Sequence, residues 1–163
     1  MSTRIAFLTI AWLISLCGSA QSKDLLLSFD VSKISVIGSG VRSMSRDIFG
    51  ISTVTSKVNG KSNKLSFQLR ATEAVKWSEH PYSANGIIKG DIILVDSNPE
   101  QKISFDSIKF ATTGDKLRSG FKPLTGEGFL NTDEVKSDFF KGFNFISVKT
   151  TSPKTIDVML TSR

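Results

Sequence analysis

The sequence has very little cysteine and histidine, with one of each among 163 residues. Zinc, copper and thiol sites in proteins are built mainly from these two residue types. Cys17 has no partner for a disulfide within the chain, and His80 alone cannot assemble such a metal site. We therefore expect no metal, no cofactor and no disulfide-stapled scaffold, so a hydrophobic core must stabilise the protein.

The motifs of common catalytic sites are also missing. No G-x-S-x-G nucleophile elbow occurs, and His80 stands in a loop that contains proline. Asp133 and Glu134 could act as an acid and a base. They stand at a predicted helix start, however, where negative charge compensates the helix dipole. Gly38–Gly40 and Gly126–Gly128 lack the further glycine of a phosphate-binding loop. We predict that the protein is not an enzyme.

The first twenty residues follow the layout of a secretory signal peptide. Arg4 precedes the apolar run Ile5–Leu16, which ends in the small residues Gly18 to Ala20. The run is shorter than a membrane-spanning helix, which needs about 20 residues. Small residues before the cleavage point suit signal peptidase. We predict cleavage after Ala20, with an uncleaved anchor helix or an ordinary buried helix as the alternatives.

Cleavage leaves residues 21–163, a length typical of a single domain. The net charge falls from +6 to +5 because Arg4 is removed. The basic residues are spread singly along the chain, which favours diffuse attraction to anionic surfaces over a nucleic-acid groove. We expect a protein of the periplasm or the cell exterior whose candidate partners are anionic envelope polymers or membrane surfaces, and not nucleic acid.

Short alternating apolar runs, bounded by Gly, Asn, Asp, Ser and Pro, recur along the chain and indicate an all-β protein. The clearest hairpin joins Ile51–Val58 to Lys64–Ala71 through Asn59-Gly60, the strongest short turn signal. Earlier runs over Leu25–Val31 and Lys33–Ile37 predict strands that end at the glycines which follow. The pattern as a whole predicts an antiparallel β-barrel or sandwich.

Three further features are predicted in the second half of the chain. The apolar phase slips within Lys102–Phe110, and a bulge near Asp106 and Ser107 would keep its apolar side chains together. Gly114–Gly128 is a loop long enough to be functional or mobile. One short helix is predicted over Thr132 to Lys141, capped at its start and ended by glycine, which would plug one end of the sheet or barrel.

Phenylalanine is abundant, with twelve in the chain. Most stand on predicted strands or beside the helix, where packing in a core is the simplest interpretation. A sharper hypothesis is that some line an apolar cavity, because small-molecule pockets are mainly apolar with few polar groups. The candidate ligand-binding residues are Phe67, Trp77, Tyr82, Phe105, Phe110, Phe139, Phe140 and Phe143. Trp77 and Tyr82 are expected near the entrance of the cavity.

Four segments together resemble the YceI-like proteins. They read GIIKGDIILVD (86–96), KISFDSIKFATTG (102–114), TDEVKSDFF (132–140) and FIS (145–147). The resemblance spans about Gly86 to Ser147. It implies an exported, lipocalin-like antiparallel barrel that binds polyisoprenoids or related amphiphiles in an apolar channel, with one helical segment around the Asp-Phe-Phe.

The sequence thus predicts an exported, non-enzymatic binding protein for an apolar or amphiphilic ligand in a cavity lined by phenylalanine. The alternative is a surface or matrix interaction protein, which packs its phenylalanines as a solid core and binds through its basic surface.

Overall fold

A computed structural model describes residues 23–40, 42–58, 61–78, 83–112, 125–130, 137–152 and 154–163. Over these residues the chain forms eight β-strands. They are β1 (Asp24–Gly40), β2 (Ser43–Val58), β3 (Lys61–Ser78), β4 (Ser83–Leu94), β5 (Gln101–Thr112), β6 (Thr125–Phe129), β7 (Phe145–Ser152) and β8 (Thr155–Thr161). The predicted signal peptide and the cleavage point after Ala20 lie outside the described residues.

The strands follow one another in chain order around an antiparallel barrel, and β1 closes the barrel against β8. The closing ladder runs from Asp24 opposite Thr161 to Asp30 opposite Thr155. Among the described residues, the seam between β5 and β6 is the shortest, with two paired positions. The predicted all-β antiparallel fold is confirmed, and of the two predicted architectures the structure is a barrel.

The strands are strongly staggered, as barrel closure requires. One row of directly opposite residues shows this stagger. It begins at Leu27, near the start of β1, and passes through Val158 on β8 and Val148 on β7. The same row continues through Gly126 on β6 to Phe110, near the end of β5. β4 ends and β5 begins at the same end of the barrel, which we name the lower end. The opposite end, with the β1–β2 and β3–β4 connections, is the upper end.

The β2–β3 hairpin predicted around Asn59-Gly60 is confirmed. Val58 pairs with Lys61, so two residues connect the strands, and these two lie outside the described residues. The pairing then runs without a break to Ser43 opposite Lys76. β3 is therefore longer than the predicted strand, which ended at Ala71.

The predicted bulge in β5 is also confirmed. Ile88 pairs with Ile108 and Gly90 pairs with Phe105, so one residue of β4 faces two residues of β5. Ser107 has a φ of 53° there, a left-handed conformation that bulges accommodate. As a result Ile103, Phe105 and Ile108 are all buried.

The two strands predicted over Leu25–Val31 and Lys33–Ile37 form one strand, and the predicted end before Gly38 is wrong. β1 continues to Gly40, paired with β2 as far as Ser43. Two register shifts, between Val31 and Lys33 and between Val36 and Gly38, let this strand curve while it keeps its hydrogen bonds to β2. Glycine interrupts the apolar pattern here, but the neighbouring strand still holds the backbone in the ladder.

Residues 137–143 form turns at the lower end of the barrel, and we name them the capping segment. The helix predicted over Thr132 to Lys141 is not shown: its described part, residues 137–141, contains turns and no helix, and residues 131–136 lie outside the described residues. The Ser137 hydroxyl donates to Gln101 Oε1 over 2.7 Å, and the Phe139 N–H donates to the same oxygen over 3.3 Å. Gln101 at the start of β5 therefore anchors the capping segment.

The hydrophobic core fills the barrel from the capping segment upward. Its members alternate along the strands with exposed residues, as on β8, where Ile156, Val158 and Leu160 are buried. The largest fully buried side chains include Phe29, Phe67, Phe140, Leu27 and Leu69. Among the described residues no helix is long and apolar enough to cross a membrane.

Candidate functional site

A charged pair lies on the inner wall of the barrel, among apolar residues. Arg46 on β2 is directly opposite Glu73 on β3, and Arg46 Nε donates a hydrogen bond to Glu73 Oε2. Directly opposite residues of antiparallel strands point to the same face of the sheet. Since Ile88, the partner of Glu73 on β4, is buried, this face is the interior.

Glu73 is the one acidic side chain among the described residues that is buried. Its side chain has no exposed area, whereas that of Arg46 keeps 20% exposure. Arg46 engages one carboxylate oxygen, and the other, Oε1, has no hydrogen-bond partner. A buried carboxylate oxygen without a donor is costly, because its hydration has been lost and nothing replaces it. The pair is therefore the most unusual polar feature of the described interior.

Next to this pair, the upper part of β1 carries apolar side chains on the same inner face. Val36 is opposite Arg46, and Ile34 is opposite the buried Ile48. Both nevertheless remain exposed, Val36 by 61% and Ile34 by 41%. We name Ile34, Val36, Met44 and Arg46 the mouth patch, because they face inward at the upper end and remain accessible to solvent.

The exposure of the mouth patch follows from the length of β1. The β1–β8 ladder ends at Asp30, and one further bond joins the Val31 N–H to the carbonyl of Lys154. Beyond Val31, no described residue pairs with β1 on its β8 side. Over the residues that the structure describes, the upper end of the barrel is consequently open along this arm of β1, whereas the capping segment lies at the lower end.

The structure brings five of the predicted ligand-binding phenylalanines into the core. Phe67 on β3 contacts Phe139 and Phe140 of the capping segment, with ring centroids 5.5 Å and 6.3 Å apart. Phe139 and Phe140 contact each other at 5.0 Å. Phe105 and Phe143 are buried in the same core. These contacts account for the rings as core packing, and a ligand-binding role for them stays a prediction.

The other three predicted site residues fall where less is described. The backbones of Trp77 and Phe110 lie on β3 and β5, respectively. Their side chains, and all of Tyr82, lie outside what the structure describes. The same holds for His80 and for most of the predicted loop Gly114–Gly128, of which 125–128 belong to β6.

The outer face of the sheet carries a groove of about 780 Å³, which crosses β1 to β5 and reaches Phe129 on β6. Most of its lining residues, such as Lys33, Asp47 and Lys89, stand at positions that alternate with the buried core, and the core residues Ile48, Ala71 and Phe105 also line it. Asp47 and Asp91 in this groove accept hydrogen bonds from Thr72 and Ser104 over 2.8 Å and 2.6 Å. The charged residues that line it are Lys33, Asp47, Arg70, Lys89, Asp91 and Asp106.

A second concavity, of about 1030 Å³, lies above this groove and is lined mainly by outward-facing residues, together with Met44 and Val75 from the inner face. Small side chains such as Ser45, Ala74 and Ala111 make up much of its floor, and Lys76 and Lys109 add positive charge. The sequence pattern did not predict either concavity, because a concave outer face arises from sheet curvature rather than from residue type.

No group of three or more His, Cys, Asp or Glu side chains among the described residues could hold a metal ion. The inner site combines an apolar approach with one cation and one unsatisfied acceptor. The outer grooves combine hydroxyl groups, alternating charges and small side chains.

Comparison with protein-family models, with curated proteins and with solved structures returns no match. The resemblance to the YceI-like proteins therefore stays a prediction.

Proposed function

We propose that the protein is a non-enzymatic binding protein that holds an apolar or amphiphilic small molecule at the upper end of its barrel. One observation carries this proposal. Ile34 and Val36 face the interior yet remain exposed beside a buried charged pair whose acceptor is unsatisfied. Side chains that fill a closed core lose their exposure, so the arrangement suits a guest that would cover them.

The fold supports the same proposal in a general way. An eight-stranded barrel has an interior that side chains can fill or that can hold one small ligand. Here the lower half is filled by the rings around Phe67, and the accessible inward surface lies above it. We therefore place the site at the mouth patch and not within the phenylalanine cluster.

A titration with a fluorescent single-chain amphiphile tests the proposal. We expect saturable binding, and we expect Val36→Ser to weaken it, because each buried methylene group contributes about 0.8 kcal/mol of transfer free energy. Ile51→Ser is the matched control, since Ile51 is also β-branched and is 46% exposed, but lies on the outer face. Equal weakening by both substitutions would contradict a site at the mouth patch.

Native mass spectrometry of the protein purified from its own envelope gives an independent check. We expect a stoichiometric lipid-like adduct that organic extraction releases and identifies. A protein that carries no adduct and binds no amphiphile in the titration would refute the proposed function.

The second candidate function is binding of an anionic envelope polymer on the outer face. Lys33 and Lys89 line the outer groove, and no ion pair within 4.0 Å engages either of them among the described residues. For this function we expect binding of polygalacturonate that weakens as salt is added, because exposed charges are screened over about 8 Å at physiological ionic strength. Lys89→Gln should reduce this binding more than Lys64→Gln, which removes a charge from the lower part of β3. Absence of binding at low ionic strength would exclude this function.

We also infer that the chain is exported and processed. The charge, apolar run and small residues of positions 1–20 support this inference. Protein recovered from the periplasm or the medium should begin at Gln21. An amino-terminal sequence that begins at Met1 would contradict it.

A further inference from the structure

We infer that Glu73 anchors the ligand and selects amphiphiles whose head group is a neutral hydrogen-bond donor, an alcohol above all. This inference rests on the proposed ligand site and adds the class of head group. It starts from the hydrogen-bonding capacity of a carboxylate, which has two oxygens and about four lone-pair positions. Arg46 engages Oε2, and Oε1 is buried without a partner.

The free oxygen defines what the site can accept. A carboxylate is an acceptor only, so the group that satisfies Oε1 must donate an O–H or N–H. Hydrogen bonds to charged groups contribute more than neutral ones, because the charge strengthens the bond and the lost hydration is restored. A ligand with a donor therefore gains an interaction that a ligand of the same shape without a donor cannot make.

The charge of the head group then decides which amphiphiles bind well. Arg46 and Glu73 together are neutral, and Glu73 has no exposed area. An ammonium head group would leave a net positive charge in this buried position, which is unfavourable in a low-dielectric environment. A carboxylate head group would bring its lone pairs against those of Oε1. An alcohol satisfies the acceptor and adds no charge.

The register places an apolar surface beside this anchor. Val36, Arg46, Glu73 and Ile88 occupy one row across β1 to β4. Within the row, exposure falls from 61% at Val36 through 20% for the Arg46 side chain to none at Glu73. The head group accordingly enters from the β1 side and passes Arg46, while the alkyl chain lies on Ile34 and Val36.

A matched set of probes tests this inference. The probes are 1-decanol, decyl methyl ether, decylamine and decanoate, which share one alkyl chain and differ in the head group. Each is titrated into the purified protein by competition with the fluorescent amphiphile. We expect 1-decanol to bind about tenfold or more tightly than decyl methyl ether, from the strength of a hydrogen bond to a charged acceptor. We expect decylamine and decanoate to bind less tightly than the alcohol.

Glu73→Gln provides the variant test. The amide oxygen can still accept from Arg46, while the amide NH2 turns the former acceptor position into a donor. In the Glu73→Gln variant, 1-decanol and the ether should bind about equally tightly, or the ether more tightly. Glu73→Asp keeps the carboxylate, so this variant should still bind 1-decanol more tightly than the ether. If Glu73→Gln does not fold, the probe comparison on the unaltered protein decides the question by itself.

The outcomes separate this inference from the proposed function. Equal binding of the alcohol and the ether would overturn the role of Glu73 and leave the mouth patch as an apolar binding site. Tighter binding of decylamine or decanoate than of the alcohol would overturn the selection for a neutral head group. Binding of none of the four probes would instead refute the proposed function.

Discussion

Arg46 and Glu73 form an ion pair in the interior of the barrel, and the residues beside this pair on the same face are apolar. Removing two charges from water costs several kcal/mol per ion, and their attraction roughly offsets that cost only while both partners are present. Arg46 keeps a fifth of its side-chain exposure, which lowers its share of the cost. Glu73 has no such relief, so the pair is more sensitive to the loss of one partner than to the replacement of both.

The first prediction concerns this asymmetry. Arg46→Met should lower the free energy of unfolding by about 3 kcal/mol or more, because it leaves a buried carboxylate without a counter-charge. The double variant Arg46→Met with Glu73→Leu should be close to the unaltered protein or more stable. Urea denaturation followed by circular dichroism measures both. A double variant that loses as much as the single one would show that the pair itself stabilises the fold.

A second prediction at the residue scale concerns Gly90, where two strands approach closely. A Cβ at this position would lie 2.3 Å from the carbonyl oxygen of Arg70 and 2.7 Å from the Cα of Ala71. Because backbone atoms cannot move aside as a flexible side chain can, Gly90→Ala should lower the free energy of unfolding by about 1–3 kcal/mol. Gly38→Ala is the control, since nothing lies within 4 Å of a Cβ there. Equal thermal melting of the two variants would contradict this account.

At the scale of elements, the capping segment depends on its rings and on Gln101. Phe140 has no exposed area and contacts Phe67, so Phe140→Ala should cost about 3–5 kcal/mol of unfolding free energy. Phe129→Ala should cost far less, because Phe129 is 77% exposed and keeps one edge-to-face contact with Phe145. Chemical denaturation of both variants checks the difference. A similar cost for the two would mean that the segment does not seal the lower end.

The strands show how far the sequence pattern reaches. Asn59-Gly60 fixes the β2–β3 register, and once Val58 is opposite Lys61, Arg46 must be opposite Glu73. The sequence pattern did not predict this pair, because the predicted strand ends at Ala71 and the weak β-formers Glu73 and Ala74 follow soon after. Pairing with both neighbours overrides that weak local preference. Glu73 stands at the same alternating positions as the apolar residues Leu65, Phe67 and Leu69. This spacing was the feature of the sequence that could have indicated an inward-facing glutamate.

The bulge in β5 was predictable for a related reason. A two-residue alternation that changes phase at Asp106 and Ser107 has few solutions that keep every apolar side chain inside. The fate of the phenylalanines was not predictable, because a core residue and a cavity-lining residue both require an inward apolar position. The ring contacts of Phe67 with the capping segment distinguish the two, and sequence spacing contains no information on them.

At the scale of the whole molecule, the barrel depends on the contact between its first and last strands. Leu26 and Met159 are directly opposite each other on β1 and β8, and both are exposed. In a Cys17→Ser background, the double variant Leu26→Cys with Met159→Cys should form a disulfide upon oxidation. It should raise the unfolding free energy by about 4 kcal/mol, since the closed loop is long.

The control for this crosslink is Leu26→Cys with Ile87→Cys, which places the second cysteine on β4. Thiol titration and non-reducing electrophoresis measure the yield of intramolecular disulfide. A monomeric crosslink in the control, or none in the β1–β8 pair, would be inconsistent with closure through these strands.

The same closure has a kinetic consequence. Because β1 pairs with β8, a chain emerging from the ribosome cannot complete its barrel until β8 has been synthesised. Such non-local pairing gives a high contact order and slow folding. A protein that folds late stays extended for longer after synthesis, which is the state that a secretion channel threads. Delayed completion of the barrel is thus compatible with the export that we propose.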